Sequence, residues 1–299
     1  MTTNLREAST AFAARFSKGL TDSDDQLYTQ LATVIPSSAA STGYGFLGQI
    51  PKIREWVGDR IIHKLADFEY EIKNKLFEST VSVSRTEFED NDYGKYGILF
   101  EDFGREANAF PNDYVFELLA NGASRPCFDG QSFFDTDHPI GMSGGEVVSA
   151  SNYYTPVDPQ TKQTPWFLLD TSRVIKPLIW QERVAPQIQK PNADEDSKVF
   201  LQDEYLYGIR ARGNAGYGFW QLAAMSDLEL NADNFNTVYE GMTSLKGDNG
   251  SPLRIQPKVL VVPPSLRQKA HEIIKRQYLE SGESNINYEI VDVMIAPYL

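Results

Sequence analysis

The chain has 299 residues, with 28 Lys plus Arg against 41 Asp plus Glu and a formal charge of −13. That excess excludes a dedicated DNA- or RNA-binder, whose footprint is basic, and 41% apolar with 12% aromatic residues excludes a disordered chain. A single cysteine, Cys127, excludes an intramolecular disulfide and a zinc site built on several thiolates, and no apolar run reaches the ~18 residues that span a bilayer.

Leu5, Phe12, Phe16 and Leu20 recur at helical spacing, with Arg6, Arg15 and Lys18 among them. This predicts a short amphipathic helix that docks on a surface, and Glu7 with the acidic stretch 22–25 argues against a transit peptide. From there to about residue 50 the chain is rich in Ser, Thr, Gly and Ala, with isolated anchors at Leu31, Val34, Ile35, Phe46, Leu47 and Ile50. It is too broken for a regular element and predicts an extended arm lying on a surface, the chain's own or a partner's. Phe68, Tyr70 and Ile72, then Phe77, Ser79, Val81 and Val83, alternate with polar residues. They predict two half-buried strands with Asn74 and Lys75 as a turn or bulge, a hairpin that needs a partner surface.

Residues 97–121 carry one apolar stripe, Leu99, Phe103, Ala107, Phe110, Tyr114 and Leu118, and predict a long helix. Pro111 must kink or divide it, and Gly122 is placed to cap it. Residues 123–165 are loop-rich. WFLLD, KPLIWQERV, YLYGIRARG and GYGFWQLAAM read as strands, and Gly208, Gly213, Gly216 and Gly218 mark a tight hairpin with bends. A helix near 234–245, the turn KGDNGSP, the strand KVLVVPP, a helix over 265–278 and the strand EIVDVMIAPYL complete an α+β pattern without an internal repeat.

Little of this carries chemistry. Asp135, Thr136, Asp137 and His138 have the types of a metal or acid–base cluster, yet neighbours in a loop cannot all face one ion. Cys127 and His138 have the types of a thiol nucleophile and its base, while a cysteine between Pro126 and Phe128 is more often a small buried hydrophobe. The enzyme reading is therefore a thiol or metal hydrolase using Cys127, Asp137 and His138, and it is the weaker one. GIRARGNAGYGFWQ lacks the spacing of a dinucleotide loop. Arg210 and Arg212 alternate on one face and can meet carboxylates across an interface or within the chain. Arg54, Glu55, Asp59 and Arg60 surround Trp56, the composition of an interface anchor as much as of a solvated face.

The strings YGFLGQIPKIREWVGDR, YEIKNKLFESTVSVSR, FDGQSFFDTDHP, WFLLDTSRVIKPLIWQER, YGIRARGNAGYGFWQLA and KVLVVPPSLRQKA resemble the Mu-type, gpT-like major head subunits of tailed bacteriophages and prophages, over nearly the whole chain. The resemblance implies an HK97-type fold: an N-terminal arm (1–50), an extended loop (54–86), a peripheral domain (87–225) with a spine helix (97–121), and an axial domain (226–299). It implies a major capsid protein with no catalytic residues and no cofactor or metal, self-assembling as pentamers and hexamers into an icosahedral head. The shell would enclose double-stranded DNA without sequence-specific binding, with a portal and a separate scaffold protein as partners and the virion, assembled in the bacterial cytoplasm, as its location. A cargo-enclosing protein shell is the alternative.

The charge of −13 suits a lining that does not hold packaged phosphates. The arm is expected to clamp neighbours, so that removing residues 1–45 spares subunit folding and weakens assembly. No fused scaffold segment is expected ahead of the arm. Some shells of this fold join neighbours through a Lys–Asn isopeptide bond. Here Lys73 and Lys75, beside Glu69, Glu71 and Glu78, favour the protonated, unreactive amine, as a charged strand would; with Lys64 they are expected to make non-covalent contacts.

Overall fold

The structure is a computed structural model, described for residues 2–44, 70–89, 94–141, 147–189, 203–247 and 250–299. Helix α1 (Thr2–Asp22) buries Ala8, Phe12 and Phe16, and the short α2 (Tyr28–Leu31) runs straight into β1 (Ala32–Pro36), with β2 (Ser41–Gly43) beyond it. The broken pattern of this arm had pointed away from regular structure. Yet β1 is regular, because its hydrogen bonds come from residues 178–182, to which it pairs in parallel from Ala32↔Leu178 to Pro36↔Glu182. Parallel pairing joins strands distant in sequence and leaves no local signature.

Strands β3 (Glu71–Lys73) and β4 (Lys75–Ser84) carry the expected alternation, but they do not form a hairpin with each other. Instead β3 pairs with β2, and β4 runs antiparallel to residues 204–213. Between them Asn74 is tied to the arm, its N–H donating to the Ala40 carbonyl at 3.0 Å and its Nδ2 to the Ala39 carbonyl at 2.9 Å.

After α3 (Arg85–Glu89) the long helix is divided at Pro111, as its missing amide requires, into α4 (Tyr96–Ala109) and α5 (Pro111–Ala120). The buried face of α4 is Phe100, Gly104 and Ala107, while Leu99, the head of the expected stripe, is 45% exposed. Glycine explains the rotation. A Cβ at Gly104 would stand 2.1 Å from the Phe16 carbonyl oxygen, and one at Gly19 would stand 1.8 Å from that of Glu101. The two helices therefore meet backbone to backbone, a contact invisible to a count of apolar residues.

Phe12 seals the seam, stacked on Phe100 with centroids 4.4 Å apart and edge-on to Tyr207 at 5.5 Å. Gly122 does not cap by a left-handed turn; a Cβ there would strike the Phe134 ring at 2.4 Å, so glycine is needed for space.

The remainder comprises the hairpin β5 (His138–Gly141) and β6 (Val147–Ala150), then β7 (Tyr153–Tyr154), β8 (Trp166–Leu169), β9 (Leu178–Gln189), β10 (Glu204–Tyr217), β11 (Ala223–Ser226), α6 (Ala232–Thr243), β12 (Val259–Val262), α7 (Arg267–Ile274) and β13 (Asp292–Ile295). Two larger sheets result, in the orders β1-β9-β10-β4 and β13-β12-β8-β11-β7. Gly208, Gly213 and Gly216 form no hairpin: all three lie inside the single 14-residue strand β10. Gly213 lets the Gln181 carbonyl and the Trp180 ring approach, and a side chain at Gly216 would meet Ile72.

The main core runs from Trp166, Phe167, Leu168 and Leu169 across both sheets to Val115, Phe116 and Leu119 of α5. Tyr28, Leu31, Ala32 and Tyr44 belong to it. The arm thus lies on its own subunit. Loss of residues 1–45 would strip that core, contrary to the expectation that folding would be spared.

Candidate assembly surfaces and a buried thiol cluster

A tight turn brings together two of the chemistry-bearing side chains singled out by sequence, Cys127 and His138, around a third side chain, Asp129. Residues 126–132 close through the bridge Pro126↔Ser132, with Gly130 at φ +86°, which glycine adopts freely. The turn aims the Asp129 carboxylate at three donors. The Cys127 thiol donates to Oδ1 at 3.0 Å, the Gln131 N–H to Oδ1 at 3.1 Å and His138 Nδ1 to Oδ2 at 2.8 Å. His138 is fully buried and lies flat on Trp220, centroids 3.9 Å apart and planes 5° from parallel. The hydrogen bond to Asp129 assigns a proton to Nδ1, and Nε2 has no hydrogen-bond partner among the described residues.

Burial pushes the Cys127 thiol up, and the charge and hydrogen bond of Asp129 push it further, so the reactive thiolate is disfavoured. Burial also raises the Asp129 carboxyl, but the hydrogen bonds from His138 and Cys127 outweigh it and hold the group below the usual carboxylate range. A nucleophilic pair needs the thiol against its base; here the carboxylate stands between them.

Asp137 is outside the cluster and exposed, its carboxyl raised by a hydrogen bond and repulsion from Asp135. The set Cys127, Asp137 and His138 is therefore not assembled. Sequence reading missed Asp129, although an Asp-Gly pair is a turn signal that folds the carboxylate back on its neighbours. Thiol, carboxylate and imidazole donor atoms do lie within 4.8 Å of one another. Their 3.0 and 2.8 Å separations are those of hydrogen bonds, and a structural tetrahedral site takes four ligands.

The arm is held by a second buried polar group. Asn112 accepts the Tyr28 N–H at 2.8 Å and donates to the Asp25 carbonyl at 2.6 Å and to the Tyr298 hydroxyl at 3.1 Å. One fully buried side chain thereby joins the arm, α5 and the last residues of the chain. Arg15 and Lys18 of α1 bridge Glu101 of α4 at 2.9 and 2.6 Å, and their hydrogen bonds lower its carboxyl. These groups are solvated and add little to stability.

The surfaces are more informative. Arg210 is exposed opposite Glu78 and Gln187, and Arg212 is half-buried opposite Leu76 and Val184. Both stand on the less buried face, with Ile209, Ala211 and Gly213 buried on the other, because the register shift beside them puts its extra residue in β9; neither forms an ion pair with a described residue. Arg54, Glu55, Trp56, Asp59 and Arg60 lie outside the described residues. On α7, Arg267, Gln268, His271, Glu272, Lys275 and Arg276 line an open groove of about 530 Å³. Beside it Tyr278, Leu279, Ile286, Tyr288 and Ile290 are all exposed. Sequence reading passed over this concentration of apolar surface, a mark of interaction sites. Among the described residues no helix is long and apolar enough to cross a membrane.

Residues 5–299 match the family model of the Mu-like prophage major head subunit gpT. The chain is 37% identical over 300 residues to the major capsid protein of Escherichia phage Mu, covering 99% of this chain and 98% of that protein. It is 41% identical over 268 residues to the Mu-like prophage FluMu major head subunit of Haemophilus influenzae, covering 89% and 87%. Among solved structures, a chain in the procapsid of bacteriophage JBD30 superposes with a TM-score of 0.88 at 48% identity, over 97% of each chain.

Proposed function

The chain belongs to the family of Mu-like prophage major head subunits and is a major capsid protein with the HK97-type fold, a component of the phage head, and from that premise we propose how its parts divide the work. Residues 1–50 form the arm, 54–86 the extended loop, 87–225 the peripheral domain with its spine along α4 and α5, and 226–299 the axial domain. Copies assemble as pentamers and hexamers into an icosahedral shell, in the host cytoplasm, with a separate scaffold protein and a portal. The finished shell encloses double-stranded DNA without reading its sequence, and the charge of −13 supports a lining that lets phosphates slide. The subunit performs no catalysis: its one thiol is buried and held neutral.

The observation that carries this reading is a match extending from residue 5 to residue 299, joined to close superposition on a procapsid chain. Negative-stain microscopy of the protein produced together with its scaffold protein tests it. Closed particles, sheets or tubes are expected, with DNA in particles made during infection. Small uniform oligomers would overturn it, and particles filled with protein would assign it to cargo enclosure.

The group around Trp56 acts as an interface anchor, with Arg54, Glu55, Asp59 and Arg60 beside it. Trp56→Ala is expected to lower particle yield more than it lowers the subunit's melting temperature. A collapse of subunit stability would make Trp56 a core residue instead.

A further inference from the structure

The elements around the five-stranded sheet carry a charge asymmetry that the fold does not consume. Residues 227–243 contain Asp227, Glu229, Asp233 and Glu240 and no lysine or arginine. Residues 267–276 contain Arg267, Lys269, Lys275 and Arg276, with His271, against the single acid Glu272. Inside the chain these groups are only partly matched. Lys269 bridges Glu229 at 2.7 Å, Asp227 is held by Lys162 at 2.9 Å, and Arg276 and Lys275 stand 3.4 and 3.9 Å from Glu280 and Glu289. Arg267, Asp233 and Glu240 form no ion pair with a described residue.

Position makes the asymmetry useful. Helix α7 packs on β12 and β13, at one end of the strand order β13-β12-β8-β11-β7. Helix α6 packs on β11, and its Gly241 lies against the Tyr154 hydroxyl of β7, toward the other end. The outward face of α6 presents Asp233, Thr237, Glu240 and Ser244, all exposed and spaced by fours and threes. The cationic groove of α7 lies on the β12 and β13 side, and the starts of the two helices meet where Lys269 bridges Glu229. Each end also carries exposed apolar surface, Tyr278 and Ile286 beyond α7 and Val157 beyond β7.

We propose that the acidic face of α6 in one copy seats in the α7 groove of the next, with the apolar residues beyond each helix closing around the contact. This rests on the reading of the chain as a shell subunit and names the surfaces that subunit uses. A second copy is the occupant because both halves of the complementary pair are on the same chain, while Asp233 and Glu240 of one half and Arg267 of the other are left without an ion pair among the described residues. A two-fold contact that contained both surfaces would also set acid against cation, twice over, and the cross-linking below separates it from a head-to-tail contact. A head-to-tail contact satisfies both, uses each surface once per copy, and closes into a ring when its rotation closes.

The test uses the full chain with Cys127 in place, since that thiol is buried. Particles carrying Glu240→Cys together with Arg267→Cys are mildly oxidised and run on a non-reducing denaturing gel. A ladder rising to five and six copies is expected, and single substitutions should give none. Dimers alone, or no bonds in intact particles, overturn the pairing.

Charge exchange gives a second measurement. Glu240→Lys should reduce particle yield about tenfold, and adding Arg267→Glu should restore it. An unchanged yield, or no restoration, counts against the pairing. So do Arg267→Glu particles formed at full yield but depleted of DNA, which would give the groove to nucleic acid. If the unaltered protein, produced with its scaffold protein, forms no particles, the shell reading falls and the pairing with it; particles without the ladder remove the pairing alone.

Discussion

The two larger sheets are covered in different ways. In the five-stranded sheet, every position of β8, β11 and β12 is buried. At the edge of the four-stranded sheet, β4 is buried only at Val83, and β9 loses full burial after Gln181. The first is completed inside one subunit. The second is completed where α1 and α4 lie over Val83, Tyr205 and Tyr207, and elsewhere it presents half-covered strands. Burial within the chain thus marks what holds a subunit together, and incomplete burial marks what a shell of many copies has left to cover.

Substitutions that separate subunit stability from particle yield should sharpen this contrast. The largest effect is expected from Phe167→Ala, at a fully buried position of β8, which should cost about 3–5 kcal/mol in thermal unfolding. A marginal loss there would mean the five-stranded sheet is not self-sufficient.

Gly104→Ala comes next. Its methyl group would stand 2.1 Å from the Phe16 carbonyl oxygen, and relieving that overlap should cost about 1–3 kcal/mol. Hydrogen exchange should show α1 loosened while β8 and β12 stay protected; equal loss across both would break the distinction.

Acid provides a milder probe. The Asp129 carboxyl is held below its ordinary value in the folded chain, so its contribution is present above the unfolded value of about 3.9 and is lost as pH falls through the folded one. Asp129→Asn should therefore flatten the loss of stability below about pH 4, measured by melting across pH. An unchanged acid limb would remove the carboxylate from the account.

The smallest effect belongs to Leu76→Ala on β4, a side chain 62% exposed, which should change subunit stability by less than about 0.5 kcal/mol and show itself in particle yield. A large drop in melting temperature would contradict the assignment of β4 to the uncovered region.

Sequence made the elements legible where periodicity is local, as in α1, the divided helix at Pro111, and the apolar strand at residues 259–262. It did not make partners legible. The alternation of residues 71–84 announced two strands but could not say that one would join residues 41–43 and the other residues 204–213. Glycine misled in β10, where it reads as a turn and acts as clearance for Trp180 and Ile72, and the close approach at Gly19 and Gly104 left no apolar signal to read.

Around Cys127 the residue types were visible, while the mediating Asp129 was overlooked in favour of the nearer neighbour of His138. The charge segregation between residues 227–243 and 267–276 lay open in the sequence. Without the strand order that sets α6 on β11 and α7 on β12 and β13, it had no meaning.

The pairing of β1 with β9 has a consequence in time. Where β1 ends, the Ser37 carbonyl accepts a hydrogen bond from Arg183, 146 residues further along the chain. At synthesis rates of about 5–20 residues per second, β1 waits roughly 7 to 30 seconds for its partner to be made. Helix α1 finds α4 much earlier. A nascent subunit is thus clasped at its first helix while the strand just beyond stays unpaired, and the four-stranded sheet closes only once most of the polypeptide has left the ribosome. Incomplete chains hold the two edge strands β1 and β4 but lack the central β9 and β10, which keeps them from entering a growing shell as finished parts.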